Sequence, residues 1–135
     1  EFVTRKISIG VAKIKLDMEN FIELGNLDAQ RDWGYAPEYV EAMWLMLQQK
    51  EPDDYVVGNG KTHSVKEFVK YAFESLDLDY QKYVKINKDF YRPSEVDLLQ
   101  SDCTKIKNKI GWKTKTSFED LIYKMVTFDY DRLKK

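Results

Sequence analysis

The sequence predicts a small α/β domain in which a few short strands alternate with packed helices. Apolar residues recur at helical spacing in five stretches, and short apolar runs that end in or near glycine stand between several of them. The chain of 135 residues contains no internal repeat, low-complexity run or long linker. A chain of this length can bury a core, so we expect residues 1–135 to form one domain.

The first half of the chain predicts helix, strand, helix and strand in turn. The first helix begins near residue 3, and its apolar positions are Val3, Ile7, Val11, Ile14 and Met18. Phe21, Ile22 and Leu24 predict a strand. Pro37 is preorganised for the first turn of a second helix, and the buried stripe that we expect there is Val40, Met43, Trp44 and Leu47. Residues 55–57 then predict a short strand that leads into a turn at residues 58–60.

The second half predicts three further helices and one strand. Ser64 and Glu67 form a capping box that opens the helix with the clearest apolar face. His63 precedes this cap, and we expect a loop residue rather than a catalyst. Residues 83–86 predict a strand, and a helix over residues 103–110 stops at Gly111 before a packed Trp112. Ser117 opens the last helix, and residues 129–135 predict a fraying polar end.

Composition excludes several functional classes. With 22 basic and 23 acidic residues the formal charge is −1. Proteins that bind nucleic acids or anionic membranes in general need an excess of basic residues. No apolar run approaches the ~20 residues of a membrane span. Cys103 is the single cysteine, and no Cys and His cluster has metal-ligand spacing, so we expect no metal. A reducing, cytoplasmic setting with no nucleic-acid or membrane partner is the expectation.

Two arginines stand in patterns that are typical of anion binding. Arg31 follows a glycine-bearing turn at Gly25, which predicts a fixed guanidinium beside backbone that a ligand can approach. Arg92 is held extended by the proline after it and lies three positions before Glu95. An arginine fork matches the oxygens of a diphosphate, and a carboxylate can accept from a ribose diol. A surface ion pair explains the second pattern equally well.

The first helix offers a further anion-binding position. Thr4, Arg5 and Lys6 lie in the first turn, where free amides and the helix dipole favour an anion. A solvated basic face fits the arginine and the lysine as well. The sequence contains no Gly-x-Gly-x-x-Gly turn and no conspicuous base with an orienting partner. Spacing alone therefore predicts anion binding and no catalytic residue.

Four motifs carry a resemblance to a known family. They are Phe-Val-Thr-Arg-Lys-Ile at 2–7, Leu-Gly-Asn-Leu-Asp-Ala-Gln-Arg-Asp-Trp-Gly at 24–34, Tyr-Val-Glu-Ala-Met-Trp-Leu-Met-Leu-Gln-Gln at 39–49 and Tyr-Arg-Pro-Ser-Glu-Val-Asp at 91–97. In this order they resemble the carboxy-terminal part of the GDP-mannose 4,6-dehydratase family, within the extended short-chain dehydrogenase/reductase superfamily. Residues 102–105 and 111–113 also fit.

The resemblance implies a substrate-binding domain without its catalytic partner. In the family, NADP takes hydride from C4 of the mannosyl unit of GDP-mannose, water is eliminated across C5 and C6, and hydride returns to C6. The catalytic residues and the NADP-binding turn lie in an amino-terminal Rossmann domain. We therefore expect a fragment of a homo-oligomeric enzyme, with that domain and GDP-mannose as partners and NADP held mainly by the missing part.

The resemblance also assigns roles to individual residues. Arg31 and Arg92 are expected to grip the diphosphate, and Glu95 to face the ribose hydroxyls. The positions expected near guanine and its attached sugar phosphate are Val3, Lys6, Leu24 and Asn26. Tyr35 departs from the histidine of many members, and the region between Leu78 and Tyr91 is shorter than in many of them.

Two alternatives stay open at this point. One is the substrate domain of another nucleotide-sugar epimerase or dehydratase, which base selectivity would distinguish. The other is a nucleotide- or protein-binding module that carries out no chemistry.

Overall fold

The computed structural model describes residues 2–91, 96 and 98–135, and these residues form the expected α/β domain. Its elements, in order, are α1 Val3–Lys15, β1 Ile22–Leu24, β2 Gln30–Arg31, α2 Ala36–Leu47, β3 His63–Ser64, α3 Val65–Glu74, β4 Val84–Ile86, β5 Leu98–Leu99, α4 Thr104–Ile110 and α5 Phe118–Leu133. Single 3-10 turns at Tyr80–Lys82 and Lys88–Phe90 flank β4.

The strands form two small sheets. β1 pairs in parallel with β4, and Leu24 lies opposite Ile86. In the second sheet β2 lies between β3 and β5, antiparallel to β3 and parallel to β5. Arg31 is thereby opposite His63 on one side and Leu99 on the other. The second sheet therefore places Arg31 on its central strand.

His63 lies in a strand, so its predicted loop position is wrong. The backbone pairing with β2 extends the chain immediately before the capping box. The imidazole stacks on the ring of Phe118 with centroids 3.8 Å apart, and its Nδ1 lies 3.5 Å from a carboxylate oxygen of Glu67. These contacts give His63 a packing role between β3, α3 and α5.

The main core lies between α1, α3, α5 and the β1–β4 sheet. Its buried members are Ile7, Val11, Ile14, Ile22, Leu24, Ala29, Val65, Phe68, Val69, Ala72, Phe73, Phe118, Ile122 and Val126. Trp33 joins them through Phe68 and Phe118, at ring-centroid distances of 5.3 and 5.8 Å. This packing fixes the chain just after β2, because the indole is anchored on α3 and α5.

The helix boundaries follow the local signals in the sequence. The capping box is formed: the Glu67 amide donates to Ser64 Oγ at 3.1 Å, and the Ser64 amide donates to Glu67 Oε2 at 2.7 Å. α4 ends at Gly111, which adopts the left-handed conformation. Met18 lies beyond the end of α1 and is exposed, so the helical spacing overestimates that helix by one turn.

The carboxy-terminal helix is anchored where a fraying end was predicted. α5 continues to Leu133, and Asp129 on it is only 1 % exposed. Its carboxylate accepts from Ser8 Oγ at 2.7 Å and pairs with Arg5 Nη1 at 2.5 Å. A buried carboxylate requires such partners, and here they tie α5 to α1.

The predicted buried stripe of α2 is exposed, which corrects the expectation. The side chains concerned are Val40, Met43, Trp44 and Leu47. The face of α2 that packs within the described residues contains Glu38 and Ala42 instead, and Ala42 forms a second small core with Ile106 and Trp112. An apolar spacing predicts that a face will be covered, but it does not identify what covers it.

Residues 55–57 do not form the predicted strand within the described part of the chain. Tyr55 and Val57 pack on the second core while Val56 is exposed, so their side chains alternate as in a strand. A strand assignment also requires a hydrogen-bonded neighbour. The predicted strand at residues 55–57 is therefore wrong.

Glu38 joins α2 to the segment before α5. Its carboxylate accepts from the amide of Lys115 at 3.1 Å, from the amide of Thr116 at 2.9 Å and from Thr116 Oγ1 at 2.5 Å. Its backbone carbonyl accepts from Trp112 Nε1 at 3.0 Å. Burial of this carboxylate opposes its ionisation, but these hydrogen bonds and the Lys115 charge outweigh burial and lower the pKa of Glu38.

Glu38→Gln should destabilise the fold in a pH-dependent manner. The amide nitrogen of glutamine would face the donors of Thr116 and Lys115, so we expect a loss of about 1–3 kcal/mol at pH 7. Because the folded-state pKa is lowered, the carboxylate stabilises the fold above its unfolded pKa, and this contribution is lost as the pH falls through the folded value. Urea unfolding measured at pH 7 and again below pH 4.5 tests this. The difference in the free energy of unfolding between wild type and Glu38→Gln should be smaller at the lower pH.

Glu41→Gln is the matched control for this test, since Glu41 lies on the same helix and makes an exposed ion pair with Lys115. It should change the free energy of unfolding by no more than about 0.5 kcal/mol at pH 7. An equal loss in the two variants would contradict the role of Glu38.

Candidate functional site

Arg31 is held in one orientation by main-chain acceptors. Its Nη1 donates to the carbonyl of Gln30 at 2.7 Å and to the carbonyl of Val96 at 2.6 Å. Val96 immediately precedes the stretch that enters β5, so the guanidinium ties β2 to that stretch. The fixed guanidinium predicted from the sequence is therefore confirmed, although its described hydrogen bonds reach across to Val96 rather than to the turn at Gly25.

Asp32, the next residue, gathers three segments of the chain. Its carboxylate accepts from the amide of Asn59 at 2.9 Å, from the amide of Gly60 at 2.8 Å and from the amide of Ser101 at 3.2 Å. Ser101 Oγ donates to the same carboxylate. We call Asp32 and these partners the Asp32 hub; it fixes the backbone on the carboxyl side of Arg31.

The Asp32 hub adjoins a half-buried phenol. Burial, with a smaller electrostatic contribution from the nearby Asp32 carboxylate, raises the pKa of Tyr39 to about 12. Tyr39 is therefore a neutral hydroxyl across the physiological range. Its ring packs edge-on against Trp112, with the ring centroids 6.0 Å apart.

A second group of candidate residues meets at the start of α1. The Lys6 ammonium lies over the ring of Phe90, with Nζ 4.1 Å from the ring centroid. Val3 packs on the main core beneath the same helix turn. Lys6 therefore lies at the start of α1, as predicted, and its side chain is partly exposed.

The turn after β1 is closed by the chain itself. A Cβ on Gly25 would lie 2.8 Å from the carbonyl oxygen of Phe90, so only glycine permits this approach. Asn87 donates its amide to the carbonyl of Leu24 at 2.8 Å, which seats the 3-10 turn Lys88–Phe90 against the end of β1. We expected the backbone at Gly25 to be open to a ligand, but the Phe90 backbone occupies that space.

Leu24 and Asn26 are placed less directly for binding. The Leu24 side chain is 2 % exposed and belongs to the core, so a ligand could meet this residue only through its main chain. Asn26 Oδ1 accepts from the amide of Asp28 at 2.9 Å and shapes the loop. Their assignments as binding residues stay predictions.

Arg92 and Glu95 lie outside the described residues, and their predicted roles stay predictions. The chain on either side of them is placed: Phe90 contacts Lys6, and Val96 accepts from Arg31. Six residues of chain span at most about 20 Å. We call the start of α1, where Lys6 lies on Phe90, the α1 corner. The α1 corner and β2, which carries Arg31, are therefore close enough to face one extended ligand.

Sequence reasoning missed two residues that organise this region. Phe90 gives an aromatic face to Lys6, and its position directly before the Tyr-Arg-Pro motif was a signal that could have suggested a role. Asp32 had no such signal, because its partners are 27, 28 and 69 positions away.

The cavities do not all coincide with the predicted site. A cavity of about 300 Å³ is lined by Lys6 together with residues of α1 and β1. A larger open groove of about 540 Å³ lies on the Asp32 hub, between residues 58–60 and 100–104. We give more weight to the smaller cavity for binding, because it contains a residue assigned by the motifs.

No group of three or more His, Cys, Asp and Glu side chains in residues 2–91, 96 and 98–135 is arranged to hold a metal ion. No helix among those residues has the length and apolarity needed to cross a bilayer.

Solved structures share this fold. RMD from Pseudomonas aeruginosa, complexed with NADPH, superposes with a TM-score of 0.87 at 17 % identity, covering 97 % of this chain and 43 % of that chain. The dTDP-glucose 4,6-dehydratase of Bacillus anthracis, in complex with NAD, gives 0.75 at 17 % identity, covering 90 % and 38 %. This chain therefore shares the fold of about two fifths of each of these proteins, and the α/β class predicted from the sequence is confirmed.

Sequence relatives identify the family. GDP-mannose 4,6 dehydratase 1 of Arabidopsis thaliana is 48 % identical over 134 residues, covering 99 % of this chain and 37 % of the relative. The human GDP-mannose 4,6 dehydratase is 45 % identical over 150 residues, covering 98 % and 40 %. The family profile described as GDP-mannose 4,6 dehydratase matches residues 1–125. The chain belongs to this family, and it spans about two fifths of the length of these relatives.

Asp32→Ala should loosen the region around Arg31. Removal of the carboxylate leaves the amides of Asn59 and Ser101 without their acceptor, and it leaves the Gly60 amide with Ser101 Oγ alone, at 3.1 Å. We expect a loss of about 2–4 kcal/mol in the free energy of unfolding. Amide hydrogen exchange should accelerate at Asn59 and Gly60 well beyond the effect of global destabilisation.

The control is Asp28→Ala, since Asp28 is exposed in the loop before β2. It should leave the exchange of both amides unchanged. Unaltered protection of Asn59 and Gly60 in Asp32→Ala would show that the hub does not hold that turn.

Proposed function

We propose that this chain binds the GDP-sugar substrate as the carboxy-terminal part of a GDP-mannose 4,6-dehydratase. The whole enzyme would convert GDP-mannose to GDP-4-dehydro-6-deoxy-D-mannose with NADP, acting as a hydro-lyase. The observation that carries the proposal is Arg31, held on the central strand of a sheet and bonded to Val96, which follows the Arg-Pro-Ser-Glu motif in the sequence. Membership of the dehydratase family supports it.

The proposed binding roles divide along the ligand. Arg31 and Arg92 would bind the diphosphate, because a guanidinium presents donors in a planar fork that matches its oxygens. Glu95 would accept from the ribose hydroxyls. The guanosine end would lie toward the α1 corner, near Val3, Lys6, Leu24 and Asn26.

In this proposal the catalytic groups belong to the rest of the enzyme. NADP would supply the hydride chemistry from an amino-terminal Rossmann domain, and the proton-transfer residues would lie there as well. The residues of this chain bind and orient the nucleotide sugar, which fixes the position of its mannosyl unit. The proposal includes no metal, a homo-oligomeric whole enzyme and a cytoplasmic setting.

The exposed face of α2 supports a second domain as partner. Val40, Met43, Trp44 and Leu47 form a large apolar stripe, and Val56 is exposed as well. Contiguous apolar surface of this kind is typical of an interface. Since the matched relatives are more than twice as long as this chain, we propose that their additional domain covers the stripe.

Calorimetric titration tests the ligand. We expect the 135-residue chain to bind GDP and GDP-mannose weakly, because half a site leaves much of the ligand in water, and to bind UDP not at all. Arg31→Ala and Arg92→Ala should abolish the binding of both guanine nucleotides. Circular dichroism checks that each variant remains folded.

Arg132→Ala, an exposed arginine at the end of α5, is the control and should bind as wild type does. Equal binding of UDP would favour another nucleotide-sugar enzyme. A folded chain that binds none of the three nucleotides would favour an interaction module and contradict the proposed ligand.

Tryptophan fluorescence tests the proposed domain partner. Trp44 is 61 % exposed, whereas Trp112 is buried and Trp33 is packed in the main core. Adding the amino-terminal part of the Arabidopsis relative should shift the emission to shorter wavelength as Trp44 leaves water. Trp44→Phe should remove the shift, and an unchanged spectrum of the wild-type mixture would contradict the interface.

A further inference from the structure

Lys6 differs from its neighbouring lysine in what holds its side chain. Lys13 pairs with a carboxylate oxygen of Glu19 at 2.6 Å. Among the residues that the structure describes, Lys6 has no carboxylate partner, and its ammonium lies instead on the Phe90 ring at 4.1 Å. α1 also has no acidic residue in its first turn. The cation is therefore ordered without being neutralised.

The Phe90 ring is itself carried on a fixed backbone. Asn87 begins the 3-10 turn by accepting from the Asp89 amide through Oδ1 at 2.9 Å, while its own amide binds the carbonyl of Leu24. The Phe90 backbone also approaches Gly25 closely, since a Cβ at position 25 would lie 2.8 Å from the Phe90 carbonyl oxygen. Phe90 nevertheless remains 47 % exposed, so its ring lies at the surface of the α1 corner.

These two observations give Phe90 a role in binding. A ring quadrupole attracts an ammonium within about 6 Å and restricts its motion, whereas a carboxylate would also cancel its charge. An ordered cation that keeps its charge is suited to bind a phosphate oxygen. We propose that Phe90 is a positioning residue that presents the Lys6 ammonium to the phosphate of a nucleoside diphosphate sugar.

This inference rests on the proposed function, and a double-mutant cycle tests it. Phe90→Leu keeps an apolar side chain but removes the aromatic face, Phe90→Tyr keeps the face, and Lys6→Met removes the charge. GDP-mannose affinity of the 135-residue chain is measured by calorimetry in each single variant and in the Phe90→Leu/Lys6→Met double variant. Phe128→Leu, which removes an exposed ring of α5, is the control and should bind as wild type does.

We expect Phe90→Leu to weaken binding about two- to five-fold, the size of one exposed cation–π contact. The same change should have no effect once Lys6 is methionine, and Phe90→Tyr should restore wild-type affinity. A purely structural role would give the same loss in both backgrounds. That result, or a Phe90→Tyr variant as weak as Phe90→Leu, would overturn the role of Phe90.

A ligand-free measurement separates the two proposals. The ε-methylene protons of Lys6 should show an upfield ring-current shift by NMR, retained in Phe90→Tyr and lost in Phe90→Leu. If that shift is present but the folded wild-type chain binds no GDP-mannose, the proposed ligand fails although the contact exists. If wild-type binding is intact and the shift is missing, the positioning role alone is overturned.

Discussion

The Asp32 carboxylate is the constraint on which the candidate site depends. Sheets of two-residue strands supply few hydrogen bonds, so they cannot fix a loop-rich region by themselves. Four donors from two remote segments converge on Asp32, and charge-assisted bonds are about twice as strong as neutral ones. Trp33 adds an anchor in the main core. Arg31 is therefore followed on its carboxyl side by two fixed residues.

The sequence predicted those parts of the fold whose signals are local. The capping box at Ser64, the stop at Gly111 and the apolar faces of α1 and α3 depend on neighbours within a few residues, and all were confirmed. The partners of Asp32 and Asp129 are remote in sequence, so no spacing rule could pair them. Two candidate binding residues, Leu24 and Asn26, have main roles in the core and in a loop.

The α2 stripe shows a different limit of sequence prediction. Its apolar pattern is present, but the face of α2 that the described residues cover is the one that contains Glu38 and Ala42. Charged Glu38 is buried because the loop at Lys115 and Thr116 supplies donors that replace water. α2 therefore has two distinct faces: one packs within this chain through Glu38 and Ala42, and the other is apolar and exposed. The spacing of hydrophobic residues identifies only the apolar face.

The parallel pairing of β2 with β5 supports the proposal that the two arginine motifs serve one site. β2 carries the Arg-Asp-Trp motif and pairs in parallel with β5, which follows the Arg-Pro-Ser-Glu motif by two residues. Arg31 adds a direct bond to Val96, the residue after Glu95. Under the proposed function, a diphosphate that binds Arg31 would therefore act on the cation that also holds Val96. Ligand binding and the position of Val96 would then be coupled through a single guanidinium.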